Sequence, residues 1–171
     1  MERGDQQREF VIFRLDDEYF AFDVGQVAEI FAYQEPVRLP RAPKFLVGMI
    51  DVRGHMLPVV DLRLRAEVEA AHQPRHIMAI RLGERFIGAI VDEVCEVYEA
   101  EEEDIGDVAV LGDKLNSQYV RRALRWGRRL VPVVDATRLL TTEEALRLRR
   151  LRPNPRRRRG ERREAGEKPP S

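Results

Sequence analysis

The sequence is poor in cysteine and has no long apolar run. Its 171 residues include one cysteine, Cys95, so no disulfide can form within the chain, which favours a reducing compartment. The charged N-terminus has no apolar segment of the kind that forms a signal peptide, and residues 1–8 are expected to be flexible. No stretch of about 18 apolar residues occurs, so no membrane span is predicted. These absences predict a soluble cytoplasmic protein.

The sequence also lacks the motifs that organise common catalytic sites. None of the patterns G-x-S-x-G, G-x-x-x-x-G-K and G-x-G-x-x-G occurs. His72 and His76 have the spacing of a metal-binding pair on a helix, but Pro74 lies between them and no third ligand follows at a motif spacing. Cys95 is expected to be a small core or strand residue rather than a nucleophile. The sequence therefore predicts no enzyme activity, no metal site and no cofactor.

Charge is distributed unevenly, although the formal net charge is zero. Residues 146–171 contain 11 basic and 3 acidic side chains, which leaves 19 basic and 27 acidic ones in the rest of the chain. Residues 153–171 are rich in proline and arginine and are expected to form a disordered tail. Its run Arg156–Arg159 could bind nucleic acid or an anionic membrane, which is an alternative function. Because no aromatic residue is interleaved and the body is acidic, a solvated tail is favoured.

An internal repeat organises the remainder of the chain. When the sequence is aligned with itself, Phe13–Ile30 matches Ile80–Val97 without a gap. The later segments Leu57–Asp61 and Val131–Asp135 also match, at a slightly larger separation along the chain. Two blocks that recur in the same order indicate a duplication. The repeat units cover residues 9–70 and 75–140.

Alternating apolar residues between turn residues predict several short strands in each unit. Glu9–Leu15 with Tyr19–Asp23, and His76–Leu82 with Arg85–Ile90, are predicted to form two hairpins. Many short strands with close turns, duplicated along the chain, predict a mainly β fold of two small barrels or a sandwich.

Polar residues at the ends of these strands predict helix starts. Asp61 and Asp135 occupy equivalent positions, where N-capping is a better account than a catalytic carboxylate pair. The helix after Asp61 is predicted to reach about Ala70. Thr141 and Glu144 have the spacing of a capping box, so a C-terminal helix is predicted over residues 141–152.

Two features of the repeat predict a binding surface. Val27 and Val94 are equivalent in the repeat, and both belong either to the core or to the wall of a groove between the two units. Periodicity leaves these alternatives open. An apolar groove between two similar units accepts an amphipathic helix, and the Arg53-Gly54 turn is expected to be exposed nearby.

Three segments resemble the CheW family. Phe45–Arg63 (FLVGMIDVRGHMLPVVDLR) is similar to the family signature, and Tyr19–Ile30 before it and Ile87–Val94 after it follow the family's order. The similarity covers Glu9–Leu140. It implies two packed five-stranded β-barrels, and a non-catalytic scaffold that joins a CheA-type histidine kinase to methyl-accepting chemoreceptors in chemosensory arrays.

The resemblance also implies roles for individual residues. Val27 matches a position in the groove that receives the receptor tip, and Arg53 and Gly54 match the Arg-Gly turn beside it. Glu29 and Gly48 match the face that meets the regulatory domain of the kinase. The second barrel would offer a further face to another CheW-like domain, which builds rings. Arg53 either gives its donor fork to the receptor or clamps its own loop.

The sequence departs from the family pattern in two places. The segment Tyr119–Leu124 usually contains a small residue or glycine, and here it carries Arg121 and Arg122. The arginine-rich tail also lies beyond the family pattern. The resemblance therefore covers the surface of the first unit more fully than that of the second.

Overall fold

The computed structural model describes residues 8–109 and 118–150, and strands dominate it. In chain order these residues form β1 (Arg8–Leu15), β2 (Glu18–Asp23), β3 (Val27–Ala32), β4 (Gly48–Val52), β5 (His55–Asp61), α1 (Leu62–Arg65), β6 (His76–Leu82), β7 (Arg85–Val91), β8 (Glu93–Ala100), β9 (Ile105–Asp107), β10 (Val120–Trp126), β11 (Arg129–Val134) and α2 (Thr142–Arg150). The predictions for residues 1–7, for residues 151 and 152 of the C-terminal helix and for the tail 153–171 lie outside the described residues.

Two sheets curl into barrel-like halves, which confirms the predicted mainly β fold. Sheet A has the strand order β8-β1-β2-β11-β10-β9, and sheet B has the order β3-β6-β7-β5-β4. Sheet A thus adds the short strand β9 to the five strands expected of each barrel. Within the residues described, no helix has the length and hydropathy to cross a membrane.

The two repeat units exchange their hairpins. The β1–β2 hairpin of the first unit joins sheet A, where β1 pairs with β8 and β2 pairs with β11. The β6–β7 hairpin of the second unit joins sheet B in the same way, through β3 and β5. In both cases the first contact is antiparallel and the second is parallel. Neither unit therefore supplies a complete sheet from its own strands.

A β-bulge is repeated in both halves. The pairing of β1 with β8 skips Cys95, and the pairing of β3 with β6 skips Ala28, which aligns with Cys95 in the repeat. Because a bulge takes one residue out of the ladder, Cys95 lies on a strand but is exposed, and the core placement considered for it is wrong. Partial burial and the neighbouring Glu93 carboxylate raise the pKa of the Cys95 thiol, which favours the protonated form.

The largest apolar cluster lies between the two sheets. Phe13 and Phe22 of sheet A stack in it with ring centroids 5.0 Å apart. Val60, Met78 and Ile80 of sheet B pack in the same cluster. Two smaller clusters lie on the other faces of the sheets, one around Phe10, Ile12 and Leu124 and one around Val59, Ile77 and Ile90. We call the largest one the central cluster.

Asp61 and Asp135 act as helix caps, as predicted. The Asp61 carboxylate accepts a hydrogen bond from the Arg63 N–H at 2.9 Å, at the start of α1. The Asp135 carboxylate accepts one from the Thr137 N–H at 3.0 Å, at the start of a single 3₁₀ turn. The two aspartates are thus equivalent in role as well as in sequence.

Helix α1 is shorter than predicted. It ends at Arg65, so the predicted extension to Ala70 is wrong. Glu67 has a positive φ of 58°, and the Val68 N–H donates to the Arg63 carbonyl at 2.9 Å. Many helices end in this way, with a residue of left-handed φ followed by an N–H that donates to the carbonyl five residues earlier. Glycine normally occupies the left-handed position, which is Glu67 here.

The predicted capping box starts α2. The Glu144 N–H donates to the Thr141 hydroxyl at 3.1 Å, and the Thr141 N–H donates to the Glu144 carboxylate at 3.0 Å. Arg65 donates to the second Glu144 oxygen at 2.7 Å, which joins α2 to the end of α1. Leu148 is buried in the central cluster, so α2 packs against the body of the fold.

A buried ionic network connects α1 to both hairpins. Arg63 is 6 % exposed, and its guanidinium contacts both Asp61 oxygens at 2.9 and 3.0 Å. Its Nη1 donates to Asp92 at 3.1 Å and to the His72 carbonyl at 2.7 Å. Asp92 is 1 % exposed, lies between β7 and β8, and also accepts the Asp16 N–H of the β1–β2 turn at 2.6 Å. The network therefore holds together parts of both repeat units.

We expect Arg63→Met to lower the free energy of unfolding by about 3–5 kcal/mol, because it leaves the Asp92 carboxylate buried and uncompensated. Urea denaturation at neutral pH measures the change. Arg38→Met removes an exposed arginine and serves as the control, with an expected change below about 0.5 kcal/mol. Similar losses in the two variants would contradict a stabilising role for the network.

Glu144 makes the anchoring of α2 dependent on pH. Burial opposes ionisation of its carboxyl, but hydrogen bonds from Arg65 and Thr141 outweigh burial and lower the pKa of Glu144. A lowered folded-state pKa adds stability above the unfolded pKa, and this stability is lost as the pH falls through the folded pKa. We expect Glu144→Gln to cost about 1 kcal/mol of unfolding free energy at neutral pH.

The cost of Glu144→Gln should shrink as the pH falls through the lowered folded-state pKa of Glu144, because the wild-type carboxyl then becomes protonated. Urea denaturation across the acid range measures this convergence. Glu143→Gln is the matched control, because Glu143 is exposed and its one ion pair within the described part of the chain is the i,i+4 contact with Arg147. A Glu144→Gln cost that stays constant with pH would contradict the ionic contact.

Candidate functional site

Val27 begins β3, and Val94 lies at the equivalent position in β8. Both side chains are partly buried and pack against the edge of the central cluster. Each valine contacts the core and keeps part of its surface accessible. The two alternatives that periodicity left open, core and groove wall, are therefore compatible at both positions.

The Arg53-Gly54 turn joins β4 to β5 in a tight hairpin. Val52 pairs with His55, and the two central residues have positive φ angles of 49° for Arg53 and 88° for Gly54. Positive φ at both positions is the type I′ geometry that suits a twisted hairpin. The Gly54 N–H donates to the Asp51 carboxylate at 2.8 Å. Glycine fits the second position without strain, whereas Arg53 occupies a conformation that is unfavourable for its side chain.

Arg53 forms a two-pronged ion pair with Glu29 of β3. Its Nη1 and Nη2 donate to the two carboxylate oxygens at 3.0 and 2.5 Å. The strands β3 and β4 are the two outer strands of sheet B, so the pair bridges the edges of the curled sheet. The side chains are 66 % and 41 % exposed, and exposed pairs contribute at most about 1 kcal/mol to stability. The pair thus orients Arg53 more than it stabilises the fold.

Gly48 is buried where β4 begins. A Cβ at this position would lie 2.5 Å from the Val37 carbonyl oxygen, and Val37 pairs with Met49 through two backbone hydrogen bonds of 2.8 and 2.9 Å. The absence of a side chain at Gly48 therefore lets the β3–β4 loop lie directly on β4. This contact fixes the surface of sheet B at the start of β4, at the opposite end of that strand from the Arg53-Gly54 turn.

A groove of about 430 Å³ opens at the end of sheet B. Glu29 and Arg53 lie at this groove with mainly apolar neighbours, which include Phe31, Leu57 and Phe86. Of the five residues predicted for the binding site, the structure brings Glu29 and Arg53 into contact. Gly54 lies in the same turn as Arg53, Val27 faces the central cluster, and Gly48 lies under Val37.

Sheet A has a counterpart of this ion pair that sequence reasoning missed. The Trp126 Nε1–H donates to the Glu96 carboxylate at 2.8 Å. Glu96 aligns with Glu29 in the repeat, and Trp126 lies at the β10–β11 turn, which corresponds to the turn of Arg53. The alignment of the two units places Glu29 and Glu96 at equivalent positions, and this equivalence was the sequence signal that could have predicted a contact in both halves. The second half therefore keeps the glutamate and replaces its cationic partner with an aromatic one.

Arg121 and Arg122, which depart from the family pattern, are held by carboxylates. Arg121 lies at a bulge in β10 and contacts Asp135 at 3.2 Å. Arg122 lies 3.7 Å from Asp23 and over the Phe10 ring. These cations therefore modify the surface of sheet A without disrupting its strands.

The two histidines that have a metal-pair spacing do not share a helix. His76 begins β6, and its Nδ1 accepts a hydrogen bond from the Val94 N–H at 3.0 Å. His72 lies in the preceding loop, with its Nε2 3.5 Å from Asp16. His76 therefore supports the start of β8, and the two rings act separately.

The exchanged hairpins, the repeated bulge and the paired glutamate contacts define a duplicated β-barrel domain. The chain belongs to the CheW-like family, because the family's sequence model of the CheW-like domain matches residues 9–144. This match spans both sheets and the start of α2. It confirms the family resemblance of the three sequence segments.

Curated relatives support this membership. The chemotaxis protein CheW of Klebsiella aerogenes is 29% identical over 139 residues, which cover 80% of this chain and 84% of that protein. CheW of Bacillus subtilis is 29% identical over 138 residues, with coverage of 79% and 88%. Protein PilI of Pseudomonas aeruginosa is 31% identical over 84 residues, or 48% of this chain and 47% of PilI.

A solved structure has the same fold. The scaffolding protein CheW of Thermoanaerobacter tengcongensis superposes with a TM-score of 0.73, at 22% sequence identity. The superposition covers 81% of this chain and 96% of the other. The likeness therefore extends over nearly the entire related protein.

We expect Gly48→Ala to lower the free energy of unfolding by about 1–3 kcal/mol, because its Cβ would collide with the Val37 backbone. Thermal and urea denaturation measure the loss. Gly106→Ala is the matched control, since a Cβ there meets no atom within 4 Å and should change stability by less than about 0.5 kcal/mol. Equal stability of the two variants would contradict the close contact.

Proposed function

We propose that this protein is a non-catalytic adaptor that couples chemoreceptors to a CheA-type histidine kinase in a chemosensory array. The match of residues 9–144 to the CheW-like family is the observation that carries this proposal. The relatives named chemotaxis protein CheW support the chemotaxis role. The adaptor would act in the cytoplasm, where it meets the cytoplasmic tips of membrane receptors.

The receptor is proposed to bind beside Val27, Arg53 and Gly54. The exposed part of Val27 offers apolar area next to the central cluster, and covering it contributes a fraction of the about 1.5–3 kcal/mol that full burial of a valine side chain provides. The Arg53-Gly54 turn projects from sheet B, where Arg53 is 66 % exposed. An arginine that is already oriented loses less side-chain entropy when it binds a carboxylate or a carbonyl.

The regulatory domain of the kinase is proposed to bind the face that contains Glu29 and Gly48. Since Glu29 holds Arg53, a partner that binds the carboxylate also changes the restraint on the guanidinium. The two proposed surfaces are therefore physically coupled through one exposed ion pair. This coupling provides a route by which kinase binding and receptor binding influence each other.

Sheet A is proposed to bind a further CheW-like domain and so to extend a ring. Trp126, Tyr19 and Arg129 cluster beside the β10–β11 turn, with the Trp126 and Tyr19 rings 5.2 Å apart and the Arg129 guanidinium 4.6 Å from the Tyr19 ring. Tryptophan, tyrosine and arginine are the residues most enriched at the energetic centres of protein interfaces. Leu130 adds an exposed apolar side chain on the same hairpin.

The test is reconstitution of a CheA-type kinase with chemoreceptor fragments. We expect receptor control of kinase autophosphorylation only when this protein is present. Arg53→Ala should weaken receptor binding by about tenfold, and Arg53→Lys should restore it only in part, because lysine keeps the charge but lacks the planar fork.

Arg128→Ala is the matched control for the coupling assay, because Arg128 is exposed in the equivalent turn of sheet A. It should leave receptor binding unchanged, and circular dichroism should be the same for all variants. Kinase activity that does not respond to the wild-type protein would refute the adaptor role. An Arg53→Ala variant that binds receptor normally but unfolds more easily would show that Arg53 is only a clamp.

A further inference from the structure

A cleft separates the β3–β4 loop from helix α2. It has a volume of about 800 Å³, and its positively charged lining comes from Arg41 and Lys44 of the loop and from Arg147 and Arg150 of the helix. None of its lining residues lines the groove beside Glu29 and Arg53. The cleft is therefore distinct from the groove that contains Glu29 and Arg53.

The cleft carries an excess of positive charge. Glu143 and Arg147 form an exposed pair at 3.3 Å, and Glu144 is engaged by Arg65 and the capping box. Arg41, Lys44 and Arg150 have no ion-pair partner within residues 8–109 and 118–150. Among the described residues, three cations of the cleft lining thus have no carboxylate within ion-pair distance.

The cleft also has an apolar floor. Ala42 and Phe45 are partly buried against the central cluster, and Pro43 lies between them in the loop. The Arg65 guanidinium lies 5.5 Å from the Phe45 ring and holds the ring in place. A ligand in this cleft would therefore meet cations at the rim and apolar surface at the base.

Arg41 occupies a backbone position that favours glycine. The Ala42 N–H donates to the Leu39 carbonyl at 3.3 Å, which closes a turn with Pro40 second and Arg41 third. The Arg41 φ is 64°, and proline before a residue of positive φ is the arrangement of a type II turn. Glycine or asparagine normally fills this third position, because other side chains are strained there. An arginine at this position costs stability and places a cation at the cleft.

We infer that the cleft docks an acidic segment of a partner protein in which carboxylates alternate with apolar side chains. The arginine forks and Lys44 would pair with the carboxylates, while the apolar side chains would cover Ala42, Pro43 and Phe45. A concave site between a loop and a helix accepts a peptide chain better than a flat membrane. Nucleic acid would require a longer row of cations than the three available here.

The probe is a fluorescein-labelled peptide that repeats the dipeptide Glu-Leu, and its anisotropy is followed as the full chain is added. Two variants remove the cleft cations, Arg41→Gly and Lys44→Glu/Arg150→Glu, and each should weaken binding by about tenfold or more. Arg41→Gly should also keep or raise the thermal midpoint, because glycine relieves the positive φ. A purely structural role for Arg41 would not separate binding from stability in this way.

Arg125→Glu/Arg128→Glu is the matched control, because it makes the same change of net charge at two exposed arginines of the β10–β11 hairpin. It should retain binding within about twofold. Replacing Glu with Gln in the peptide, or Leu with Ser, should each weaken binding to the wild-type chain.

Four outcomes would overturn the inference. The first is an equal loss in the cleft and control variants, which would indicate general charge attraction. The second is a loss that follows Arg156→Gln, Arg157→Gln, Arg158→Gln and Arg159→Gln instead, which would assign binding to the tail. The third is self-association by sedimentation that the cleft variants abolish, because the occupant would then be a second copy. The fourth is peptide binding that the cleft substitutions leave unchanged, while the same substitutions abolish flotation of the protein with vesicles of anionic lipid. The cleft would then bind a membrane surface and not a peptide.

Discussion

Burial of the central cluster depends on the exchange of hairpins between the two halves of the chain. Val60, Met78 and Ile80 of sheet B pack there against aromatic side chains of β1 and β2. Each sheet is completed by a hairpin from the other repeat unit, so separating the halves would expose this cluster and break two parallel strand contacts. The buried Arg63–Asp92 pair lies at the same junction. Removal of apolar area from water, the dominant favourable term in folding, thus acts on both units together.

This dependence explains why the candidate surfaces lie where the two units meet or where a sheet ends. Val27 can offer apolar area because it stands at the edge of the central cluster, where packing is incomplete. Glu29 and Arg53 can pair because β3 and β4 are the outer strands of a curled sheet. Both features follow from the closure of sheet B around a hairpin that belongs to the other unit.

The strands were predictable from the sequence, since short runs of apolar, often β-branched side chains bounded by turn residues are a local signal. His76–Leu82 was predicted with its observed bounds, and the Asp61 and Thr141 caps were predicted from spacing. The end of α1 was missed because Glu67 adopts a positive φ that its residue type does not announce. The pairing of Glu29 with Arg53 was missed because the residues are 24 positions apart, and only the curl of the sheet brings them together.

The hairpin exchange could not be predicted from the repeat, because aligning the two units identifies equivalent strands and not the strands that pair. The same alignment does show where the halves differ in chemistry. Glu29 is bound by a guanidinium, whereas its equivalent Glu96 is bound by the indole of Trp126. An exposed ion pair is weakened by salt and can reopen toward a charged partner, while an aromatic cluster contributes mainly buried area. Two ends of a duplicated fold can therefore select partners of different chemistry without any change in the backbone.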